Sequence, residues 1–406
     1  MRVDSAEDKT TLLRPSFIEV DLDAIRFNVK SIKQRLGDSV KLLAVVKANA
    51  YGLGAVEVSR TVSEAGAEYL GVAIVEEGIE LREAGISTPI LVLYPEPPER
   101  ASFFPEYNLI PTVSDQLFLE RFNHLCSQSN RIGDVFLKLD SGMGRYGLSP
   151  GSILSLAEKL LRMNNIRLSG LSTNLSDPEN GREGYSLGQV ERFRKVDRKL
   201  RGLGFKGYLR SVANSTAFLD LPESYFDLVR IGHLLYGSYP SEREESVVPL
   251  KSVLTLKSKV LLLKTVDQGQ PLGYGNSYTT TRLTKIATLP IGYADGVPRQ
   301  LSNCGQVLIR GHRANIIGRV CMDALMVDVT DISNVELNDE VVLIGKQGDE
   351  TITVHEIAKT SGTISYEIIS RLSLRLPRIC KDLHKTPETV IKAEALRQPS
   401  LTKKID

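Results

Sequence analysis

Tryptophan is absent from the 406 residues, histidine occurs only five times and cysteine only four. The missing tryptophan excludes nothing, but the scarcity and spacing of the other two do. Cys126, Cys304, Cys321 and Cys380 are scattered without a CxxC pair, which argues against a disulfide framework and fits reduced thiols in a cytosolic enzyme. His124, His233, His312, His355 and His384 form neither HxH nor HExxH, so no metal site is expected. An excess of one charge is also missing. Lys and Arg number 51 and Asp and Glu 49, leaving a formal +2 and no field to attract nucleic acid or an acidic membrane. No basic run supplies such a field locally, and no stretch is apolar enough to span a bilayer. The opening MRVDSAEDKTTLLRPSF contains acidic residues and lacks a signal peptide's apolar core. Together these absences predict a cytoplasmic protein acting on a small molecule.

What is present is length enough for two domains and the composition of an ordinary folded protein. The most informative stretch is KLLAVVKANAYGLG. Leu42 to Val46 read as a strand buried on both faces, so Lys47 emerges where that strand ends, ahead of a small turn containing Tyr51. A lysine there loses hydration, its pKa falls, and the neutral amine can attack a carbonyl to form a Schiff base. Taken alone, the same residues describe equally well a strand that surfaces at a charged side chain.

Upstream, FIEVDLDAIRFNVKSIKQRLG reads as a short strand and a helix with Asp23 as N-cap, Ile25, Val29, Ile32 and Leu36 on one face, and Gly37 as the stop. Eight apolar runs follow: VKLLAVV, YLGVAI, PILVLY, LIPTV, DVFLKLD, IRLSGLST, YLRSVAN and FDLVRIG. Separated by helical patterns or turns, they predict an α/β fold with an N-terminal (β/α)8 TIM-type barrel over residues 17–239. In such a barrel reactive side chains gather past the strands' carboxyl ends, and Lys47, Arg145, Asn174, Asn214, Ser215 and Arg230 fall there. After SEREESVVPLKSVL the pattern changes to short β-rich runs punctuated by Gly, Asn and Asp, which predicts a C-terminal mainly β domain over 248–377 with one helix at TVHEIAKTSG. Residues 1–16, a polar leader, and 384–406, a polar tail, carry no assignment.

Eight strings, in the order AVVKANAYG, KLDSGMGRYG, ANSTAF, VRIGHLLYG, LGYGNSY, LPIGYADG, GRVCMDALMVD and TISYEI, resemble the alanine racemases. These are fold-type III pyridoxal 5'-phosphate enzymes with a barrel and a C-terminal β domain, and the resemblance covers nearly the whole chain apart from leader and tail. It implies racemisation of L-alanine to D-alanine, supplying D-alanine for peptidoglycan, with bases on opposite faces of the substrate: Lys47, which also carries the cofactor, and Tyr274. The cofactor is an electron sink for the charge left when the α-proton departs. A free tyrosine titrates near about pH 10, so Tyr274 needs cations or hydrogen-bond donors to act as a base at neutral pH.

The resemblance further implies that Arg230 faces the pyridine nitrogen and, because a guanidinium does not give up its proton, leaves that nitrogen unprotonated. Tyr51, Ser215, Gly232 and Tyr366 match phosphate-binding positions, helped by backbone N–H groups at Gly232 and His233, and Asn174 and Asn214 fall among the cofactor-binding residues. Arg145 matches the arginine that contacts the cofactor's phenolic oxygen and the substrate carboxylate. Lys138 matches a lysine often carbamylated in relatives, a change that turns a cation into an anion able to steady Arg145. Tyr293, Met322 and Asp323 match the residues that shape the substrate's carboxylate pocket. Since the family builds each site from two subunits, a head-to-tail homodimer is implied.

Two positions depart from the family. Asn174 stands in LSTNLSDPEN where relatives usually carry a histidine that links the pyridine-facing arginine to the catalytic tyrosine, and Leu53 stands where AYGHG is more usual. An imidazole can pass a proton and an amide cannot, so the activation of Tyr274 is the property most exposed to the first change. Three readings stay open on sequence alone: an alanine racemase, a racemase for serine, lysine or several amino acids, and a protein that binds the cofactor without useful catalysis.

Overall fold

Burial along each strand decides which sheet it joins. In this computed structural model, which describes residues 14–178, 184–239 and 248–382, β1 (Phe17–Asp21) alternates buried and half-buried positions and so has one face in the core. The next three strands, β2 (Lys41–Val45), β3 (Tyr69–Val72) and β4 (Ile90–Val92), are instead buried almost continuously. With β5 (Ile110–Val113), β6 (Gly133–Lys138), β7 (Ile166–Ser172), β8 (Leu209–Ser211) and β9 (Leu228–Ile231), they make one eight-stranded sheet, β2 to β8 in sequence with β9 beside β2. Every pair in it is parallel. The Asp227 N–H donates to the Arg210 carbonyl and the Arg230 N–H to the Ala213 carbonyl, both at 3.1 Å, drawing the two edges together into the (β/α)8 barrel.

Among the described residues, eight of the nine α-helices up to Asp220 accompany those strands. They are α2 (Lys47–Gly52), α3 (Ala55–Glu64), α4 (Val75–Glu83), α5 (Phe103–Glu106), α6 (Gln116–Gln128), α7 (Pro150–Leu160), α8 (Tyr185–Gly202) and α9 (Ser215–Asp220). The first helix, α1 (Leu22–Leu36), buries Ile25, Val29, Ile32 and Leu36 as its spacing predicts, and Gly37 at φ 68° ends it. Asp23 is not its N-cap but lies within its first turn, where a carboxylate still meets the positive end of the helix dipole. Inside the barrel Leu43, Val45, Leu91, Phe136 and Leu228 form one apolar cluster, and Phe136 is fully buried within it.

The chain divides into two units, one spanning Ala24–Lys251 and the other combining the described residues up to Asp23 with those from Ser252 onward. The second unit is a ten-stranded sheet plus the small hairpin of β12 (Pro271–Leu272) and β13 (Tyr278–Thr279). Its strands after β1 are β10 (Leu254–Lys259), β11 (Leu262–Val266), β14 (Thr284–Leu289), β15 (Gln306–Ile309), β16 (His312–Ile317), β17 (Leu325–Asp328), β18 (Glu340–Gln347), β19 (Glu350–Ile352) and β20 (Arg378–Lys381). They run in the order β11-β14-β17-β16-β15-β18-β10-β1-β20, with β19 on β18. The helix expected at TVHEIAKTSG is α10 (Val354–Ser361), capped by the Thr353 side chain and ended by left-handed Gly362, and a second, α11 (Ser365–Ser370), follows it.

Two expectations change. The strand at Phe17 does not open the barrel: β1 pairs antiparallel with β10 and parallel with β20, because its alternating pattern suits a sheet with one solvated face. The β sheet also continues past residue 377 to Lys381, since β20 is β1's partner. The leader up to residue 13 and the tail 384–406 lie outside the described residues. No helix among the described residues is long and apolar enough to cross a membrane.

Phe136 has the largest ring in the barrel's apolar cluster, so Phe136→Ala should cost about 3–5 kcal/mol of stability, seen as a lower denaturant midpoint, with Phe136→Leu costing less.

Candidate active site

Lys47 sits two residues past β2 and opens a turn of unusual backbone. Ala48, Asn49, Ala50 and Tyr51 are all left-handed, with φ between 50° and 56°. For residues with a Cβ that conformation costs roughly 1–2 kcal/mol each, so other contacts must hold it. The Ala50 N–H donates to Val46 (2.8 Å), the Gly54 N–H to Asn49 (3.1 Å), and the Ala55 N–H to the Asn49 side-chain oxygen (2.6 Å). Glu77 accepts from the Ala48 and Ala73 N–H groups, each at 2.6 Å, and so ties the turn to the start of α4. The strain is spent on fixing where the lysine emerges.

The Lys47 ammonium donates to the Tyr94 hydroxyl at 3.0 Å and lies 5.2 Å from that ring's centre. Arg145 is 5.8 Å from the same ring, and Tyr146 stacks on it at 4.8 Å. Tyr94 therefore gathers the lysine and the arginine-bearing loop. Sequence reasoning missed it, although its place at the end of PILVLY, past a barrel strand's carboxyl end, was an available signal. The Arg145 loop is shaped by Asp140, whose carboxylate accepts from the Gly142 and Met143 N–H groups at 2.9 Å and from Gly144 at 3.1 Å. Burial works to raise the Asp140 pKa, but those bonds and Arg192 more than offset it and hold the group below the usual carboxylate range.

Lys138, the last residue of β6, faces this same end. Burial, and then the cations Arg230, Arg145 and Lys47, push its amine well below the ordinary lysine value, opposed only by Asp140. A neutral amine is the form that carbamylation requires. Arg230, in β9, is 6% exposed and fully engaged. It donates to Ser211 Oγ (2.7 Å), the Thr173 carbonyl (2.8 Å), the Val212 carbonyl (3.1 Å) and Asn174 Oδ1 (3.2 Å). Burial lowers its pKa to about 10, which leaves it cationic at neutral pH. Asn174 turns its oxygen to Arg230 and its amide N–H toward Met143 Sδ (3.4 Å) and the Leu175 carbonyl (3.1 Å).

The ends of β8 and β9 make a cradle. Asn214 caps α9 by accepting from the Ala217 N–H, and Ser215 Oγ accepts from the Gly232 N–H at 3.0 Å. A Cβ at Gly232 would collide with the Tyr51 hydroxyl, so only glycine leaves this corner open. Tyr51 packs on Tyr236 at 5.0 Å, and His233 is fully buried at the start of a short 3-10 turn. Hydroxyls, backbone N–H groups and an open corner are what a phosphate needs, and cations with an amine are what a phosphorylated aldehyde needs. These barrel residues fit such a cofactor.

The remaining candidates belong to the β unit. Tyr274 lies on a tight turn after β12 between Gly273 and Gly275, both at positive φ, and is 73% exposed. Tyr293 and the Met322–Asp323 turn are neighbours, because the Tyr293 N–H donates to Cys321 (2.9 Å) and the Ala294 N–H to Met322 (3.0 Å). Asp295 caps that turn through the Gly292 N–H and pairs with Arg14, while Arg375 bonds Asp323 at 2.7 Å. Tyr366 is half-buried on α11. Tyr274, Tyr293 and Met322 thus stand among the large side chains exposed on this unit.

The profile for "Alanine racemase, N-terminal domain" matches residues 20–240, and that for the C-terminal domain matches 253–380. The alanine racemase of Halothermothrix orenii is 43% identical over 371 residues, covering 91% of this chain and 98% of its own. That of Carboxydothermus hydrogenoformans is 43% identical over 90% of this chain and all of its own. Among solved structures, the alanine racemase of Bacillus anthracis with bound L-Ala-P superposes with a TM-score of 0.87 at 36% identity, covering 94% of this chain and 98% of that one.

Burial pushes the His233 imidazole down to about 3, below its ordinary value of 6.5. The unfolded chain therefore takes up this proton first, and the stability it accounts for is present above about pH 6.5 and lost as pH falls toward about 3. The His233 ring resonances should accordingly not titrate between pH 8 and 5 in an NMR series, where an exposed histidine would.

Proposed function

The chain belongs to the alanine racemase family, whose members depend on pyridoxal 5'-phosphate, and from that premise we propose that it racemises L-alanine to D-alanine by a two-base mechanism using Lys47 and Tyr274. The observation that carries this reading is the amine of Lys47, held at the barrel's mouth among Tyr94, Arg145 and the cations that depress Lys138. When bound, the cofactor supplies an electron sink that acidifies the substrate's α-proton. Every other part of the chemistry falls to the chain.

Lys47 would hold the cofactor and move the α-proton on one face, while the Tyr274 hydroxyl does so on the other. Tyr51, Ser215 and the N–H groups of Gly232 and His233 would bind the phosphate, with Asn214 ordering α9 and Tyr366 joining from the β unit. Arg230 presents a guanidinium that stays protonated and has no proton to spare, so it would leave a facing pyridine nitrogen unprotonated and limit side reactions such as transamination. Arg145 would take the phenolic oxygen and the substrate carboxylate, steadied by carbamylated Lys138. Tyr293, Met322 and Asp323 would bound the carboxylate pocket, which suits a substrate as small as alanine. Asn174 can orient Arg230 but cannot relay a proton, so the activation of Tyr274 rests on other neighbours.

The exposure of Tyr274, Tyr293 and Met322 supports a head-to-tail homodimer in which the β unit of one subunit completes the barrel site of its partner. The same reading places the enzyme in the cytoplasm, as a source of D-alanine for peptidoglycan.

Reconstituted with pyridoxal phosphate, the native protein should show the visible absorption band of a lysine-bound cofactor, and Lys47→Ala should lack it; a band unchanged in the variant would refute the assignment. Tyr274→Phe should reduce racemisation by about 10²–10⁴ while retaining the band and the heavy-water α-proton exchange of the one enantiomer that Lys47 serves. Mixing the two inactive variants should restore up to about a quarter of native activity, because about half the dimers would be hybrids and each hybrid would contain one intact site of two; no recovery after verified exchange would reject the shared site.

A further inference from the structure

Helix α8 carries Arg192, Arg194, Lys195, Arg198, Lys199 and Arg201 but only Glu191 and Asp197 to balance them. Interleaving hides this imbalance in the sequence, which shows no basic run; helical spacing collects it. The two carboxylates are committed elsewhere, Glu191 to Arg194 at 2.5 Å and Asp197 to Arg201 at 3.2 Å. Asp197 also accepts from the Tyr208 hydroxyl at 2.6 Å. The other four cations, Arg192, Lys195, Arg198 and Lys199, line one groove of about 400 Å³ together with Val196 and Pro150, the first residue of α7. No acidic side chain lines it, and none of the four has an ion-pair partner among the described residues.

A solvated basic face is the ordinary fate of such a helix. Two further observations point to a ligand. One guanidinium nitrogen of Arg192, Nη2, is buried without a hydrogen-bond acceptor among the described residues, an arrangement that costs stability unless an acceptor arrives. Pro150 also brings the N-terminal end of the eleven-residue α7 to the same groove, with the helix dipole's positive pole. The four cations share one shallow groove on two turns of α8, a span that suits a compact, multiply charged anion better than a polymer.

We propose that the α7–α8 groove binds a small phosphate-bearing anion, either free phosphate or a phosphate monoester. It lies on the barrel's helical layer and shares no lining residue with the cradle of Tyr51, Ser215 and Gly232. Its one link to the candidate active site is Arg192, whose Nε donates to the Ser141 carbonyl at 2.5 Å in the loop that carries Arg145. Lys195, Arg198 and Lys199 are exposed and, unlike Arg192, do not bond that loop, so they can be replaced without disturbing it.

The test is calorimetric titration of the cofactor-loaded protein at low ionic strength, with inorganic phosphate in one arm and ribose 5-phosphate in the other. One saturable site per chain is expected in at least one arm, and tighter binding of the ester would identify a monoester as the ligand. The triple variant Lys195→Gln, Arg198→Gln, Lys199→Gln should weaken that binding by about tenfold or more while keeping the native melting behaviour. Binding that is absent, unchanged in the variant, or equally strong for chloride at matched ionic strength would overturn the proposal. The triple variant separates this site from the cofactor cradle: phosphate bound at Tyr51, Ser215 and Gly232 would be unaffected by the three substitutions, so failure of the cofactor assignment and failure of this proposal give different results.

Discussion

Crowding of like charge at one end of the barrel is the constraint on which the site depends. Lys47, Arg145 and Arg230 each act on Lys138, and Asp140 is the carboxylate that opposes them there. Asp140 is already occupied by three backbone N–H groups of the loop it shapes. Such a cluster stays together only because the barrel holds it: Arg230 is clamped by four acceptors, and Lys47 by a strained turn and the Tyr94 hydroxyl. Lys138 bears the strain as an amine whose pKa is held well below the ordinary lysine value. An anionic cofactor would relieve the same repulsion, and that relief would favour binding of a phosphate-bearing ligand.

The barrel was largely legible because strands such as β2, β3 and β4 are short, nearly continuous apolar runs, and such runs read the same way in sequence as in structure, while β7 (IRLSGLS) and β8 (LRS) follow from their place in the alternation. The misplacement of β1 shows where that legibility stops. FIEVD alternates, and its pattern announced a strand with one wet face, but nothing local identifies the partner, which lies more than two hundred residues away in β10 and further still in β20. Position in the chain suggested the barrel, and long-range pairing decided otherwise.

Within the site, motif-borne residues were legible and their supports were not. Lys47, Arg145, Asn174, Ser215 and Arg230 do gather at the strands' carboxyl ends, as barrel topology requires. Tyr94 had a legible position, past a barrel strand's carboxyl end, but not a legible role, because only folding brings its ring beside two cations from other strands. A turn was legible after Lys47, but its left-handed course through Ala48–Tyr51 was not, since three of those four residues are ones that rarely adopt that conformation and the glycines, Gly52 and Gly54, come only after them. Asn174 is a middle case, for the sequence exposed the substitution and the structure supplied its consequence, an amide oriented by Arg230 with its other end engaged.

The pairing of β1 between β10 and β20 also bears on how the chain is made. The barrel is an insertion between the first strand of the β sheet and the rest of it, so all eight barrel strands leave the ribosome before any second strand of that sheet does. β1 must therefore wait, unpaired, through the synthesis of an entire domain, and its outer partner β20 is the last described strand to emerge. Its Glu19 and Asp21, polar residues in a waiting edge, discourage intermolecular pairing during that interval.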